Sequence, residues 1–345
     1  MKRFSQLLLS VTILFLLLWQ LPWCYNFFAS SSDRTPFTIY STLVGDFVQT
    51  LPNQNGKGVV RHDLSGKVYT ESEFDSILPM FYVRQLVVDE RFPDTICGVS
   101  VNPRLAQMEN FTFRSTPSEI NSVKIGLYPL MESLSGRVDL KMPNDVFRIT
   151  SEGLEFIDIQ SNLINQSKSI LFTEALKRKG FLFPAIEIAG NPTVRKDYDE
   201  GYLLLDSKKQ LFHLKRMRGR PFVRQIELPQ DLVLKHLFIT EFKNRRTLAF
   251  MTDVKNQFYV LKAKSYEVEP TGISSFNPET DDLMIFGDLF NWTVKIAHLN
   301  METFYALKAS DYSLVKCYKR EVYSHYMPGI HFSSFLDNDI FPRIN

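Results

Sequence analysis

The densest group of chemically capable side chains in this sequence is a basic segment in its second half. It consists of Lys208, Lys209, Lys215, Arg216, Arg218, Arg220 and Arg224. Such a segment can bind anionic lipid headgroups or an acidic partner. It can equally be a solvated sheet edge whose charges discourage pairing with other sheets. We keep Lys215, Arg216, Arg218 and Arg220 as candidates for partner binding.

A second candidate surface is the loop 189–201, which reads Ala-Gly-Asn-Pro-Thr-Val-Arg-Lys-Asp-Tyr-Asp-Glu-Gly. It mixes turn-forming residues with an arginine, a tyrosine and closely spaced carboxylates. This composition can present a binding surface, and it can also form a well-capped connection. The candidates for partner binding that the loop supplies are Asn191, Arg195, Tyr198, Asp199 and Glu200.

Sequence signatures of catalysis and of metal binding are absent. The chain holds no His-Glu-x-x-His zinc motif, no Gly-x-Ser-x-Gly nucleophile turn and no nucleotide fingerprint. The acidic turns 281–282 and 337–339 lack the spaced ligands of a calcium loop. His213 and His236 lie in apolar runs, which favours packing over ligation. We therefore predict no catalytic residue, no metal site and no cofactor, while carboxylates distant in sequence could still converge in a funnel.

An internal repeat predicts the elements that must position these side chains. The segment 258–263 (Phe-Tyr-Val-Leu-Lys-Ala) recurs 46 residues later as 304–309 (Phe-Tyr-Ala-Leu-Lys-Ala), and 203–215 aligns with 250–262 at an offset of 47. Repeats of this length are typical of stacked supersecondary units. Because the repeats consist of short β-prone runs and polar turns, they predict a mainly β, β-propeller-like domain. A pair of packed open sheets is the alternative.

Helix signals interrupt this β pattern in two places. Thr70 and Glu73 form a capping-box pattern for a short helix that must end near Pro79. The segment 166–180 has helical apolar spacing, and its Gly180 supplies a C-cap. We expect a helical insertion at 166–180 and the clearest repeats at 200–320. The stretch 80–88 is compatible with a strand or with more helix.

An uncharged apolar segment lies at 7–28, behind Lys2 and Arg3. Its 22 residues are long enough to cross a hydrocarbon core of about 30 Å. A cleavable signal peptide is the rival interpretation, although bulky aromatic residues stand where small ones are preferred. The basic N-terminus predicts a cytoplasmic start. The expected domains are a cytoplasmic N-terminus and transmembrane anchor at 1–29, a spacer at 30–36 and an extracytoplasmic domain at 37–345.

The part of the chain beyond this apolar segment has balanced charges. The protein has 40 Lys and Arg against 38 Asp and Glu, and two of the basic residues precede the apolar segment. The expected ectodomain is therefore formally neutral, which argues against a nucleic-acid partner. Cys97 and Cys317 could form a disulfide or remain as buried thiols.

Several motifs together resemble a membrane-anchored family of Bacteroidota proteins that is described as a domain of unknown function. They lie at 69–86, 136–140, 172–176, 190–193 and 198–202, and the resemblance covers nearly the whole chain. It implies an envelope protein and a gene neighbourhood with ABC-type transporter components. It implies no catalytic residues.

These expectations combine into a functional hypothesis with one main rival. The leading hypothesis is a non-enzymatic, single-pass protein of the bacterial cytoplasmic membrane, whose periplasmic domain binds a partner such as a transporter subunit. The rival is an extracytoplasmic enzyme, or a carbohydrate- or ligand-binding propeller, that uses a central funnel. A third possibility, a structural lipoprotein-like tether, depends on Cys24. Convergent charged side chains in a funnel would favour the rival, and a flat apolar face would favour protein binding.

Overall fold

The computed structural model describes residues 2–29, 35–53, 58–134, 136, 139–322, 327, 329–333 and 341–344. The chain starts with helix α1 (Lys2–Ala29). Within the described ranges, α1 is the one helix long and apolar enough to cross a membrane, over Lys2–Phe28, a test that a signal sequence also passes. The expected division at 29 and 36 stays a prediction, and residues 30–34 of the spacer lie outside the described ranges.

The first half of the body contains one sheet, several short helices and a hairpin. Sheet I consists of β1 (Phe37–Ser41), β2 (Asp46–Pro52), β3 (Val59–Asp63) and β4 (Val68–Tyr69). After it come α2 (Glu71–Ile77), α3 (Val83–Val88), β5 (Thr95–Ile96), β6 (Val99–Ser100), α4 (Pro103–Glu109), β7 (Phe111–Ser115) and α5 (Pro117–Ile120). The hairpin unit follows, with β8 (Asp145–Ile149), β9 (Leu154–Asp158) and α6 (Gln166–Arg178).

The second half repeats one antiparallel pattern three times. Sheet II consists of β10 (Glu187–Gly190), β11 (Tyr202–Leu205), β12 (Leu211–Met217) and β13 (Arg220–Ile226). Sheet III consists of β14 (Leu234–Ile239), β15 (Thr247–Asp253), β16 (Phe258–Lys262) and β17 (Val268–Pro270). Sheet IV consists of β18 (Asp282–Gly287), β19 (Asn291–His298), β20 (Met301–Lys308) and β21 (Leu314–Glu321), and a last hairpin of β22 (Ile330–Ser333) and β23 (Phe341–Ile344).

This topology is propeller-like. In each of the four sheets, strands that are consecutive in the chain are hydrogen-bonded neighbours, as in a propeller blade. Sheet IV has a fifth strand, because β7 pairs antiparallel with β18 from outside the repeats. The predicted fold class, mainly β and β-propeller-like with a helical insertion after one N-terminal apolar helix, is confirmed.

The sequence repeat corresponds to equivalent positions in successive sheets. The echoed segments form β16 and β20, the third strand of sheet III and of sheet IV. In both turns that follow, a tyrosine has positive φ, 62° at Tyr266 and 57° at Tyr312. The Tyr266 N–H donates to Lys262 O, and the Tyr312 N–H donates to Lys308 O. The echo therefore encodes one hairpin with one turn geometry.

Sheets II and III bury both of their faces. On β11, Leu204 packs towards the hairpin unit, while Leu203 and Leu205 pack towards sheet III. Sheet III likewise packs against sheet IV through Phe250 and Phe258. A sheet that is covered on both sides needs apolar side chains on both sides. This explains why β11 and β15 are unbroken buried runs.

Polar contacts link neighbouring sheets at the same turn. The Tyr266 hydroxyl lies 2.8 Å from His213 Nδ1 in sheet II, and the Tyr312 hydroxyl hydrogen-bonds Thr247 in sheet III. His213 Nε2 lies 2.6 Å from the carbonyl oxygen of Glu200. Burial lowers the pKa of His213 to about 4, so the ring is neutral. Because a carbonyl can only accept, Nε2 carries the proton and Nδ1 accepts from Tyr266.

Both predicted helices are present. Thr70 caps α2 through the expected capping box with Glu73, and α6 ends at Arg178, just before Gly180 with φ of 88°. The stretch 80–88 contains helix α3, so the helical alternative was correct. The cysteine alternatives were wrong: Cys97 and Cys317 are free and exposed, because each lies at a surface position of a turn or an outer strand.

The end of α1 meets the C-terminal part of the chain. The Asn26 side chain donates to Met327 O at 2.8 Å and accepts from Met327 N at 2.7 Å. A Cβ on Gly329 would lie 2.6 Å from Pro22. These contacts can form only if α1 is not cleaved from the chain.

We predict that Tyr266→Phe destabilises the protein, because it leaves the buried Nδ1 of His213 without a donor. The expected loss is about 1–3 kcal/mol of unfolding free energy, read as a lower melting temperature of the detergent-solubilised chain by near-UV circular dichroism. Tyr128→Phe is the matched control, since no hydrogen bond of the Tyr128 hydroxyl occurs in the described part of the chain. Equal melting temperatures for the two variants would contradict the sheet-linking role of Tyr266.

Candidate functional site

A funnel of about 1080 Å³ could hold a ligand or a partner segment. Its wall is formed by β7, β10 and β14, each of which is an edge strand of its sheet. Strands β10 and β14 lie against one another, and Phe113 on β7 packs on Phe238 of β14, with ring centroids 5.8 Å apart. The funnel is thus bordered by three edge strands, each of which has one side that is not paired within its own sheet.

One rim of the funnel is held by a buried ion cluster. Lys196 Nζ donates to Asp199 Oδ1 at 2.8 Å, to Glu241 Oε1 at 2.6 Å and to Asn191 O at 2.7 Å. The side chains of Lys196, Asp199 and Glu241 are 5, 3 and 2% exposed. Burial raises the pKa of Glu241, and the hydrogen bond from Lys196 opposes this shift. The cluster connects the loop 189–201 to the end of β14, so its role is structural.

The opposite rim carries exposed and partly exposed ion pairs. Lys124 lies 2.7 Å from Glu187, and Lys235 lies 2.9 Å from Glu279. His236 Nε2 is 3.5 Å from the same Glu279 carboxylate, a distance at which no well-formed hydrogen bond exists. Burial lowers the pKa of His236, which favours the neutral ring.

Three groups in the funnel wall have unused bonding capacity. Arg114 is exposed in the funnel and has no ion pair among the described residues. The next residue, Ser115, is 2% exposed, and its Oγ has no hydrogen-bond partner in the described structure. The same holds for His236 Nε2. Because the Ser115 and His236 atoms have almost no accessible surface, the exposed Arg114 is the group of the three that a bound molecule can reach.

A smaller side cavity of about 320 Å³ lies on the other side of β7, between sheets I and IV. Its apolar lining includes Phe81, Phe111 and Phe286, and its acidic lining is Asp288. A Cβ on Gly287 would lie 2.2 Å from the Phe111 ring. The ring of Phe111 can therefore pack over β18 at this position only because residue 287 is glycine.

Asp288 faces this cavity with one carboxylate oxygen engaged. Its Oδ1 accepts from the backbone N–H of Phe290 at 2.7 Å and of Asn291 at 2.8 Å. Nothing in the described part of the chain donates to Oδ2. The surrounding protein raises the pKa of Asp288 to about 6, against the two backbone hydrogen bonds.

The sequence-predicted candidates fall into two separate places. Asn191 and Arg195 line the funnel. The remaining seven are distributed over the loop and the outer hairpin β12–β13: Tyr198 and Asp199 are buried, Glu200 pairs with Lys215 at 2.6 Å, Arg216 lies 3.4 Å from Glu132, and Arg218 and Arg220 are exposed. The structure does not bring the basic residues of the outer hairpin β12–β13 to the funnel. A role of these nine residues in partner binding stays a prediction.

Sequence reasoning missed Arg114, Ser115 and Asp288. The alternation Phe-Thr-Phe-Arg-Ser over β7 is a half-buried strand pattern, and it could have revealed that Thr112 and Arg114 share one exposed face. Asp288 carried no signal, because an aspartate at a turn is ordinary. The acidic turn 337–339 lies outside the described residues. Asp281 is buried and accepts from His298 Nδ1 at 2.6 Å.

The arrangement supports binding more directly than catalysis. His298 and Asp281 form a His–Asp pair, yet no hydroxyl or thiol of the described residues is hydrogen-bonded to the other ring nitrogen. Among these residues, no group of three His, Cys, Asp or Glu side chains could hold a metal ion.

We predict that Lys196→Met destabilises the protein by about 3–5 kcal/mol, because it leaves two buried carboxylates without their cation. The measurement is thermal or denaturant unfolding of the detergent-solubilised chain. Lys243→Met is the control at the same rim, since the Lys243 side chain is 66% exposed and its loss should change stability by less than about 0.5 kcal/mol. Similar effects of the two substitutions would show that the cluster does not hold the rim.

We predict that Asp288→Asn stabilises the protein at pH 7.5 and not at pH 4. A pKa of about 6 in the folded chain against 3.8 in the unfolded chain means that folding favours the protonated acid, and this contribution is lost as pH rises through 6. The gain at pH 7.5 is up to about 3 kcal/mol, because Asn keeps an oxygen for the two backbone donors. Asp311→Asn, in an exposed turn of the same type, should give no gain. A less stable Asp288→Asn chain at pH 7.5 would contradict the raised pKa.

Comparisons with solved structures give weak similarities. They include PorZ, a bacterial surface component of the type-IX secretion system of Porphyromonas gingivalis (12% identity, TM-score 0.26, 87% of this chain and 33% of that one). They also include the WD40 domain of SCAP from fission yeast (8%, TM-score 0.33, 88% and 79%) and the Cps50 (Swd1) β-propeller domain of Myceliophteria thermophila (9%, TM-score 0.29, 84% and 88%). This chain spans about a third of the length of PorZ. With TM-scores this low, the similarities carry no argument here.

Sequence comparison is more informative about the family. A search of curated proteins finds no match. A family model matches residues 37–307, which cover sheet I through most of β20. The chain therefore belongs to the family described as a domain of unknown function, DUF4857.

Proposed function

We propose that this protein is a non-enzymatic binding module, tethered by α1, that holds an extended segment of a partner protein in its central funnel. The observation that carries the proposal is the composition of the funnel wall, in which three strand edges meet around one opening. An edge strand presents unpaired backbone N–H and C=O groups, and extended peptides bind such edges by adding a strand.

Strand β7 supports this proposal, because it is itself a strand that is added to the edge of a sheet. It comes from outside the repeats, yet it pairs with the inner edge of sheet IV over Phe111–Ser115. Strands β10 and β14 are edge strands of their sheets in the same funnel. Apart from sheet pairing, the backbone groups of β14 have few other bonds in the described structure. The inner edges of sheets II and III are therefore where a comparable added strand would pair.

The size and charge of the funnel fit a short polar segment. A volume of about 1080 Å³ is at the upper end of the range for ligand pockets, about 300–1,000 Å³. Arg114 offers a cation without a partner in the described residues. An extended segment with an acidic side chain matches this cation.

The tether restricts where the partner is found. Lys2 and Arg3 precede α1, which favours a cytoplasmic start and places the body on the opposite side of the membrane. The contacts of Asn26 with Met327 and of Pro22 with Gly329 favour retention of α1. We therefore propose a periplasmic body at the bacterial cytoplasmic membrane. A subunit of an ABC-type transporter is the partner that the family resemblance favours.

The second candidate function is binding of a small polar ligand, such as a carbohydrate, in the same funnel. It is favoured by the charged side chains that converge there, with Lys124, Glu187, His236 and Glu279 at one rim. A wall of this kind resembles a ligand pocket more than the flat apolar face of a protein interface.

Affinity purification from native membranes separates the candidates and the two surfaces. The full chain, solubilised in mild detergent, should recover a stoichiometric protein partner, and Arg114→Glu should reduce this recovery several-fold by placing a carboxylate in the funnel. Arg220→Glu tests the outer hairpin β12–β13. Lys319→Glu, on the exposed side of β21, is the charge-reversal control.

Each outcome decides between specific alternatives. Loss with Arg114→Glu alone supports the funnel as the partner site. Loss with Arg220→Glu alone moves the site to the β12–β13 hairpin and overturns the funnel proposal. Recovery of the protein without any partner, from membranes in which it is folded, favours the small-ligand alternative.

A further inference from the structure

The side cavity between sheets I and IV contains a carboxylate with a free acceptor oxygen. Asp288 lines the cavity, and its Oδ2 receives no hydrogen bond from the described residues. The other polar side chains in the lining are neutral: Asn110, Thr112 and Thr293. A bound group that pairs with Asp288 Oδ2 must be a hydrogen-bond donor.

The remaining lining specifies what the rest of that group looks like. Phenyl rings come from Phe81, Phe111 and Phe286, and aliphatic side chains come from Ile39 and Met80. Aromatic rings attract cations, and they also pack on methylene groups. No other titratable side chain from β1, residues 80–81, β7, β18 or the start of β19 lines this cavity in the described structure. The carboxylate thus has no counter-ion of its own.

From these features we infer that the side cavity is a binding site for an alkylammonium group, with Asp288 as its counter-ion and the phenyl rings around its carbon chain. The cavity volume of about 320 Å³ accommodates a chain of four or five carbons with its ammonium head. This site is separated from the funnel by β7, and the inference does not rest on the proposed function.

The raised pKa of Asp288 is consistent with this site. A carboxylate that is surrounded by protein and lacks a cation binds protons more readily. An ammonium group beside it would reverse that effect, because an opposite charge stabilises the ionised acid. Ligand binding should therefore release a proton at pH values near 6, and affinity should fall below that pH.

The test uses the full chain in detergent and n-butylammonium chloride as the probe, observed by saturation-transfer NMR and by calorimetry at pH 7.5. We expect binding of n-butylammonium, and binding of its neutral analogue n-butanol about tenfold weaker or more. Asp288→Asn should lose the preference for the cation. Asp311→Asn, which makes the same chemical change in an exposed turn, should keep it.

Folding does not confound this comparison, because Asn at 288 retains the acceptor for Phe290 and Asn291, and near-UV circular dichroism verifies the fold. Equal binding of n-butanol and n-butylammonium, or unchanged selectivity in Asp288→Asn, would overturn the inference. A peptide pair, Gly-Gly-Lys-Gly-Gly and its norleucine analogue, identifies the source of the group. Selective binding of the lysine peptide assigns the site to a lysine side chain, and selective binding of n-butylammonium alone assigns it to a free amine. Both results support the ammonium site.

Discussion

The packing of sheets face to face is the constraint on which the rest of the structure depends. Sheet II is covered by the hairpin unit on one face and by sheet III on the other, and sheet III is covered in turn by sheet IV. Strand interiors in these sheets therefore consist mainly of apolar side chains, and a polar side chain that is buried there, such as His213 in β12, needs hydrogen-bond partners. Some ion pairs lie around the funnel, such as Lys196–Glu241, and others lie on outer parts of the body, such as Arg148–Glu155.

Polar contacts then fix how adjacent sheets are aligned. Apolar burial is non-directional, so it permits neighbouring sheets to slide. The hydroxyl of Tyr266 bonds to the neutral ring of His213, and Lys196 joins the loop before β11 to Glu241 after β14. Each contact is buried, so a shifted alignment would leave a donor or a charge unsatisfied. These contacts convert a stack of sheets into one defined funnel geometry.

The sequence predicted the repeated part of this architecture because the repeat carries local information. A third strand with its tyrosine turn recurs in sheets III and IV, and the runs at β11 and β15 are apolar over their full length. Local rules also located α2 and α6 through Thr70 and Gly180. The position of β7 could not be predicted in this way, because its pairing with β18 joins segments about 170 residues apart.

The candidate site was predictable only in part for the same reason. The loop 189–201 was recognised by its composition, and Asn191 and Arg195 do line the funnel. However, two of its five charged side chains, those of Lys196 and Asp199, belong to the buried cluster, and no spacing rule distinguishes such a cluster from a binding surface. The basic segment was also recognised by its composition, and the structure places its Arg218 and Arg220 on the outer hairpin. Whether a charge is structural or free depends on partners that are remote in sequence, such as Glu241 and Glu132.

Three polar groups without a full set of partners in the described structure lie where the repeat pattern is interrupted. Ser115 belongs to the added strand β7, Asn110 precedes it, and Asp288 lies in the turn after β18, the strand with which β7 pairs. A half-buried carboxylate without a cation and buried oxygens without donors lower the stability of the folded chain. The interiors of sheets II and III are mainly apolar, although one buried polar atom in sheet II and two in sheet III also lack hydrogen-bond partners in the described structure. Local exceptions to otherwise consistent packing are expected at functional sites, and β7, which lies beside both the funnel and the side cavity, contains or adjoins three of these exceptions.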